Sequence, residues 1–387
     1  MLNRLPELPV YKTYPIKLAS GKGAYVYDEA GTEYLDMYGG HAVAVTGHCH
    51  PAVVDAIVDQ AQRLIFYSNA VETAHRRELC EKLVALGKGA FGAVFLVNSG
   101  AEANEAALTI ARLATGRKKV AAVSGGFHGR SLLTLSLCGI ERYRALSQVG
   151  GTPIMPHATI LPAGDVRTAE ETIDDSFSAI IVEPIQGLAG CVVMTDEYLT
   201  ALRRICDRTG ALLVFDEVQC GMGRTGTFLA SEQVSVRPDM ATLAKGLGGG
   251  FPIAATLVGE RLISAVKPGD LGTTFGGGPL GCAAASANLD VLQSERMIEN
   301  AHIVGDFLSN QIAALPGVKR VQGRGLLLGA VLDQKAEEVV ERLILEQHII
   351  AGGSAAADVL RIMPPLSLRR EQAERFVAGL AAVLERR

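Results

Sequence analysis

Two stretches decide the fold: Ala211-Leu-Leu-Val-Phe-Asp-Glu217 and Met240-Ala-Thr-Leu-Ala-Lys-Gly-Leu-Gly-Gly-Gly-Phe-Pro252. Each begins as an unbroken apolar run of strand length and then turns abruptly charged or glycine-rich. A strand without polar alternation is covered on both faces, as strands of a parallel sheet are when helices lie above and below. Outward from this pair the pattern recurs at 93–97 (AVFLV), 119–123 (KVAAV), 179–183 (AIIVE) and 254–258 (AATLV). Apolar residues at helical spacing occupy 101–114, 196–210 and 260–266 between them. Strands separated by helices imply an α/β domain built on a mostly parallel sheet.

The flanks read differently. GKGAYVYD (21–28), EAGT and EYLDMYG (33–39) form two short strands across a turn, and helical periods start at 51 and 77. After about 285, helices mix with short strands in KRVQGRGLLLGAVLD and DVLRIMPP. The expected organisation is a large domain over 51–285, preceded by a segment at 1–50 and followed by a smaller α+β domain at 286–387. With 387 residues, 48% of them hydrophobic, the chain can bury a large core. A net charge of -4 without runs of like charge argues against nucleic-acid or membrane-surface partners. No apolar run approaches about 18 residues, and the N-terminus lacks the apolar core of a signal peptide. Seven scattered cysteines with no CxxC pair read as free thiols, so a cytoplasmic location is expected.

Ligands of such a sheet sit at the carboxyl ends of its strands, and there the chemistry is sought. Strand 93–97 runs into Asn98-Ser99-Gly100-Ala101-Glu102 and then a helix. The first N–H groups of a helix lack internal partners and lie at the positive end of its dipole, which suits phosphate. Read alone, the turn is equally a plain helix start with Ser99 as N-cap. Asp216 ends its strand, where a buried carboxylate needs a salt bridge, a helix cap or a protonated ring nitrogen. Lys245 follows its strand and precedes permissive glycines. Poor solvation there would depress its pKa and make a nucleophilic amine, whereas a lysine snorkelling to water would remain an ordinary cation. One ligand needs all three features: pyridoxal phosphate takes a phosphate cradle, an acid for its ring nitrogen and an amine for its aldehyde.

Two motifs point elsewhere and fail. Gly221-Met-Gly223-Arg-Thr-Gly226 matches the dinucleotide fingerprint, but no long helix follows and no acidic residue ends a second strand about 20 residues on. His48-Cys49-His50 has no further metal ligands beside it, so no metal is expected.

The residues above lie in long ordered strings: GHCHPAVVDAI, VNSGAEANEAALTIAR, GGFHGRS, IIVEPIQG, LLVFDEVQCGMGRTG, LAKGLGGGFP, GTTFGGGPLG and LRIMPPL. From about residue 10 to the C-terminus the chain strongly resembles the class III, or subgroup II, aminotransferases of PLP fold type I, within the acetylornithine/ornithine branch. The resemblance implies a smaller domain built from both termini. It implies that Gly100 and Ala101, beside Ser99, bind the phosphate, that Phe127 and Val218 cover the two ring faces, and that Asp216 binds the ring nitrogen. Gln219 then contacts the phenolic oxygen, and Lys245 carries the cofactor and moves the proton. Thr274, with Thr273, would reach the cofactor or substrate of a neighbouring subunit, so a homodimer with shared sites is implied. Arg130 would hold the donor's α-carboxylate, and Arg361 the α-carboxylate of glutamate or 2-oxoglutarate.

Three positions depart from the family pattern. EPIQG continues with Leu188-Ala189-Gly190, where the family has a glutamate thought to pair with the arginine at 361. Gly278 stands where the family has an asparagine, and His41 where an isoleucine or tyrosine is commoner near the substrate. His41 is either a specificity residue or a hydrogen-bonded wall. The implied reaction is ping-pong transfer of the ω-amino group of an acylated ornithine to 2-oxoglutarate, in arginine or lysine synthesis. Ornithine, succinylornithine, lysine, 4-aminobutyrate, polyamines and an aminomutase reaction stay open as alternatives.

Overall fold

The computed structural model describes residues 8, 10, 11 and 13–385, so the first residues of the expected N-terminal segment lie outside it. Seven strands form the central sheet, in the order 93–97, 254–258, 240–243, 212–216, 177–182, 119–123 and 158–161. All run parallel except Ala254–Val258, which is antiparallel to both its neighbours. Strands 177–182, 212–216, 240–243 and 254–258 are buried throughout, which explains their unbroken apolar runs.

The covering helices follow from capped, amphipathic sequence. In Asp196–Thr209, Thr195 Oγ1 accepts from the Tyr198 N–H, and Gly210 ends the helix at φ 77°. Tyr198, Leu202 and Ile205 recur at helical spacing and are buried. The segment 260–266, expected as an α-helix, is a 3-10 helix over Glu260–Ala265. The edge strand Ala158–Leu161 completes the sheet.

Outside this sheet, Leu18–Lys22, Tyr25–Asp28 and Glu33–Asp36 make a three-stranded meander, one strand more than the sequence suggested. Ile349–Ile350 pairs in parallel with Glu33–Asp36, so chain from both ends shares one sheet. A second sheet joins Val318–Arg324, Leu327–Leu332 and Val359–Ile362, all antiparallel. The helix Pro279–Ser294 spans the expected boundary at 285 without a break. No helix of the described residues is long and apolar enough to cross a membrane.

Candidate active site

The strand ends Val97, Val123, Val182, Asp216 and Leu243 lie on one edge of the sheet, and the loops beyond them line a cavity. It has two adjoining compartments, of about 380 and 240 Å³, which share Phe127, Asp216, Val218 and Lys245. The larger reaches Ser99, Gly100 and Ala101; the smaller reaches His41, Arg130, Tyr143, Glu183, Leu188, Gln219 and Arg361.

At the first compartment the helix Gly100–Thr115 points its N-terminus inward. Ser99 and Glu102 form a reciprocal capping box, with Ser99 Oγ accepting from the Glu102 N–H at 3.3 Å. Glu102 Oε2 accepts from the N–H groups of Asn98 and Ser99 at 2.9 and 2.8 Å. The box thus occupies the outer donors and leaves those of Gly100 and Ala101 at the cavity, with the helix dipole behind them. Gly100 has no room for a side chain, because a Cβ would come within 2.9 Å of Val218 Cγ1.

Asp216 is 2% exposed and held from three sides. Asn104 Nδ2 donates to its Oδ2 at 2.8 Å, His128 Nδ1 meets the same oxygen at 2.8 Å, and the Val218 N–H donates to Oδ1 at 3.0 Å. Thr242 in turn donates to Asn104 Oδ1 at 2.7 Å. Burial alone would push the Asp216 carboxyl up; the hydrogen bond and field of His128, the Val218 N–H and the nearby Lys245 outweigh it and hold it below the ordinary carboxylate range. Lys245 is shifted the other way from its usual charged state, since burial outweighs the attraction of Asp216 and Glu183 and lowers the ammonium. Its backbone is left-handed, at φ 41°, a strained conformation for a lysine. Glu183, raised by burial and by the charge of Asp216, accepts from the N–H groups of Phe127 and Gly187 at 2.7 and 3.1 Å.

The second compartment brings in two arginines. Arg130 is exposed and stacks over the Tyr143 ring, 4.7 Å from its centroid. Arg361 is buried in the strand Val359–Ile362. Its Nε donates to Gly353 O at 2.6 Å, and its Nη2 donates to Tyr38 Oη at 3.0 Å. Leu188 fills the wall beside it. His41 stands on a left-handed turn over Gly39–Ala42, with φ 67° at both His41 and Ala42. Each non-glycine residue in that conformation costs roughly 1–2 kcal/mol.

The threonines lie elsewhere. Thr274 is exposed and borders neither compartment; Thr273 Oγ1 accepts from Asn98 Nδ2 at 3.4 Å and from the Gly276 N–H at 3.1 Å, within its own chain. Sequence reasoning missed Asn104, His128, Glu183, Tyr38 and Tyr143. Asn104 had a usable signal, as a polar residue one turn after Gly100 on a face of buried alanines. His128 adjoins Phe127 in a string already singled out, while Tyr38 and Tyr143 carry no local mark.

An anion cradle, a charged acid and a depressed lysine around one cavity fit a flat, phosphorylated, nitrogen-containing aldehyde. Comparison with known proteins points the same way. The family model described as aminotransferase class-III matches residues 9–384. The acetylornithine aminotransferase of Mycobacterium bovis is 44% identical over 379 residues, which cover 97% of this chain and 93% of that protein. The crystal structure of ornithine aminotransferase from Toxoplasma gondii superposes with a TM-score of 0.90 at 32% identity, covering 98% of this chain and 93% of that one. A PLP-bound amine transaminase from an uncultivated Pseudomonas species gives 0.89 at 28% identity, covering 98% of each chain. By this match over nearly its whole length, the chain belongs to the class-III aminotransferases, enzymes that work with pyridoxal phosphate.

Proposed function

We propose that this aminotransferase moves the ω-amino group of an acylated ornithine, acetylornithine first, to 2-oxoglutarate. The observation that carries the reading is the pair of arginines facing one cavity beside Lys245 and Asp216: Arg130 at the open side and Arg361 at the buried side. Two carboxylate-bearing substrates can then use the same site in turn, each with its own guanidinium. The identity to acetylornithine aminotransferases supports this choice of donor, and ornithine aminotransferases among the structural neighbours keep free ornithine as the alternative.

In this reading the N–H groups of Gly100 and Ala101 receive the cofactor's phosphate, Phe127 and Val218 flank its ring, and Gln219 faces its phenolic oxygen. Bound pyridoxal phosphate supplies an aldehyde that accepts amino groups and a ring that withdraws electrons from the reacting carbon. Asp216, kept charged by His128 and the Val218 N–H, holds the proton on the ring nitrogen. Lys245, its charged form disfavoured by burial, would hold the cofactor and carry the proton at the reacting carbon through its Nζ. Arg130 orients the donor's α-carboxylate, and Arg361 that of glutamate or 2-oxoglutarate.

We also propose a cytoplasmic homodimer. Thr274 lines neither compartment of the cavity described above, and beside it Phe275, 67% exposed, stacks with Phe66 at a centroid distance of 5.1 Å. Ile65, Tyr67 and Val71 are exposed close by in sequence to Phe66, an apolar surface suited to a second copy. The described cysteines are all free, in keeping with a reducing compartment.

The test is a donor panel with 2-oxoglutarate: acetylornithine, succinylornithine, ornithine, lysine, 4-aminobutyrate and putrescine. Acetylornithine is expected to give the highest kcat/KM. Arg130→Ala should raise the KM of the donor, and Arg361→Ala that of 2-oxoglutarate, each by roughly 30- to 150-fold for a lost charge-assisted contact of about 2–3 kcal/mol. Equal effects on both substrates would refute the assignment of one arginine to each.

A further inference from the structure

Arg361 is a buried cation whose side-chain hydrogen bonds, among the described residues, all go to neutral oxygens: Gly353 O, Gly187 O at 3.5 Å and Tyr38 Oη. Leu188 offers only hydrocarbon on the same wall. A guanidinium in such surroundings is costly unless it is positioned for a ligand. What positions it is unusual. Tyr38 Oη lies 2.7 Å from His41 Nδ1, so by giving its proton to His41 it keeps a lone pair for Arg361 Nη2. That arrangement needs an unprotonated Nδ1, and enclosure together with the charges of Arg361 and Lys245 pushes His41 down to about 4. The phenol itself is raised by burial and stays a donor.

The relay is built in at the expense of backbone strain. Asp36 Oδ1 accepts from the N–H groups of both Tyr38 and Gly39 at 2.8 Å, opening the left-handed turn that carries His41. Gly352 leaves the space that the Tyr38 ring occupies, since a Cβ there would fall 1.9 Å from Tyr38 Cε2. Gly352 also pairs with Arg361 itself, through backbone bonds of 3.1 and 2.7 Å.

We propose that Tyr38 and His41 are positioning residues that hold Arg361 in one orientation through neutral hydrogen bonds, leaving its charge permanently open to a substrate carboxylate. The proposal rests on the reading of this cavity as the substrate site. It names the chemical class favoured beside Arg361 as an α-amino or α-oxo acid, which binds without displacing an internal carboxylate. A donor that brings a methylene there leaves the cation bare, so the ω-amine half-reaction is the weaker one.

The experiment is a single-turnover half-reaction: holoenzyme first aminated by donor and freed of it is mixed with increasing 2-oxoglutarate, and its apparent Kd is read from the return of the cofactor's visible absorbance, alongside KM values for both substrates. Tyr38→Phe keeps the ring and its packing and is expected to weaken 2-oxoglutarate roughly tenfold while the donor KM moves less than about threefold. His41→Ala should weaken it about threefold. His41→Asn, which places Oδ1 near the lost Nδ1 and tolerates a left-handed backbone, should restore it. Because His41 acts through Tyr38, the double variant Tyr38→Phe/His41→Ala should bind no worse than Tyr38→Phe alone. Leu188→Glu should weaken 2-oxoglutarate at least tenfold by pairing Arg361 internally. Unchanged 2-oxoglutarate affinity in Tyr38→Phe, or equal loss for both substrates, overturns the positioning role. If aminated wild-type enzyme does not turn over with 2-oxoglutarate, the proposed function itself falls, and this inference with it.

Discussion

Asp216 is ionised inside a sheet tip because His128, not water, stabilises its charge. Both side chains are nearly sealed from solvent, and the other ring nitrogen of His128, Nε2, has no hydrogen-bond partner among the described residues. His128 is therefore oriented by Asp216 alone on its ring side, and the two stand or fall together. His128→Phe removes the donor, so the Asp216 carboxyl should rise toward and past its ordinary value. The sign is definite: a depressed carboxyl keeps its charge as pH falls, and a raised one loses it earlier. The acid limb of the kcat/KM profile should move to higher pH in His128→Phe, with kcat at neutral pH down roughly 10- to 100-fold, as a lost hydrogen bond to a buried charge implies. An acid limb that stays where it was would show that His128 only fills space. None of this was visible in the chain as text. Asp216, Lys245 and Gly100 announced themselves by ending strands, whereas His128 and Asn104 matter through contacts 88 and 112 residues away.

Elements were legible where burial dictates composition. Leu212–Asp216 and Met240–Leu243 could be read because strands covered on both faces admit only apolar residues. Direction is a different matter: Ala254–Val258 is equally apolar but antiparallel, since burial is the same whichever way a strand runs. Ala158–Leu161 escaped notice because only Leu161 of its four residues is fully buried, so burial imposes no unbroken apolar run there. The left-handed turn at Gly39–Ala42 was half-marked by its two glycines, but nothing local forecasts positive φ at His41 and Ala42. The helix Gly100–Thr115 offers the clearest element-level test. Its capping box fixes where the free N–H groups of Gly100 and Ala101 point, so the cap should matter to phosphate and not to the ring. Ser99→Ala costs about 1 kcal/mol of capping, and we expect apoprotein to bind pyridoxal phosphate about fivefold more weakly. Affinity for pyridoxal, which lacks the phosphate, should not change. Equal losses for the two ligands would mean that the box supports the fold generally and not the cradle.

At the scale of the whole molecule, one chain contains a cavity, two arginines and the lysine, but Thr274 is exposed and lines neither compartment of that cavity. If a second copy covers the apolar surface around Phe66 and Phe275, that threonine enters the partner's site and each site becomes the joint product of two chains. Sedimentation should then report a dimer of the 40.8 kDa chain, and Phe275→Asp should yield monomers without activity. Sharing is tested more sharply by complementation. Lys245→Ala abolishes the site that a subunit builds for itself but still lends Thr274 to its partner; Thr274→Ala does the converse. Each variant alone should be impaired. Mixed and allowed to exchange, half of the dimers pair unlike chains, and each such dimer has one site with both Lys245 and a partner's Thr274 intact. Activity should recover to about one quarter of the wild-type value under random pairing. If Thr274 served its own chain instead, no pairing could bring it together with Lys245, and the mixture would do no better than the average of its parts.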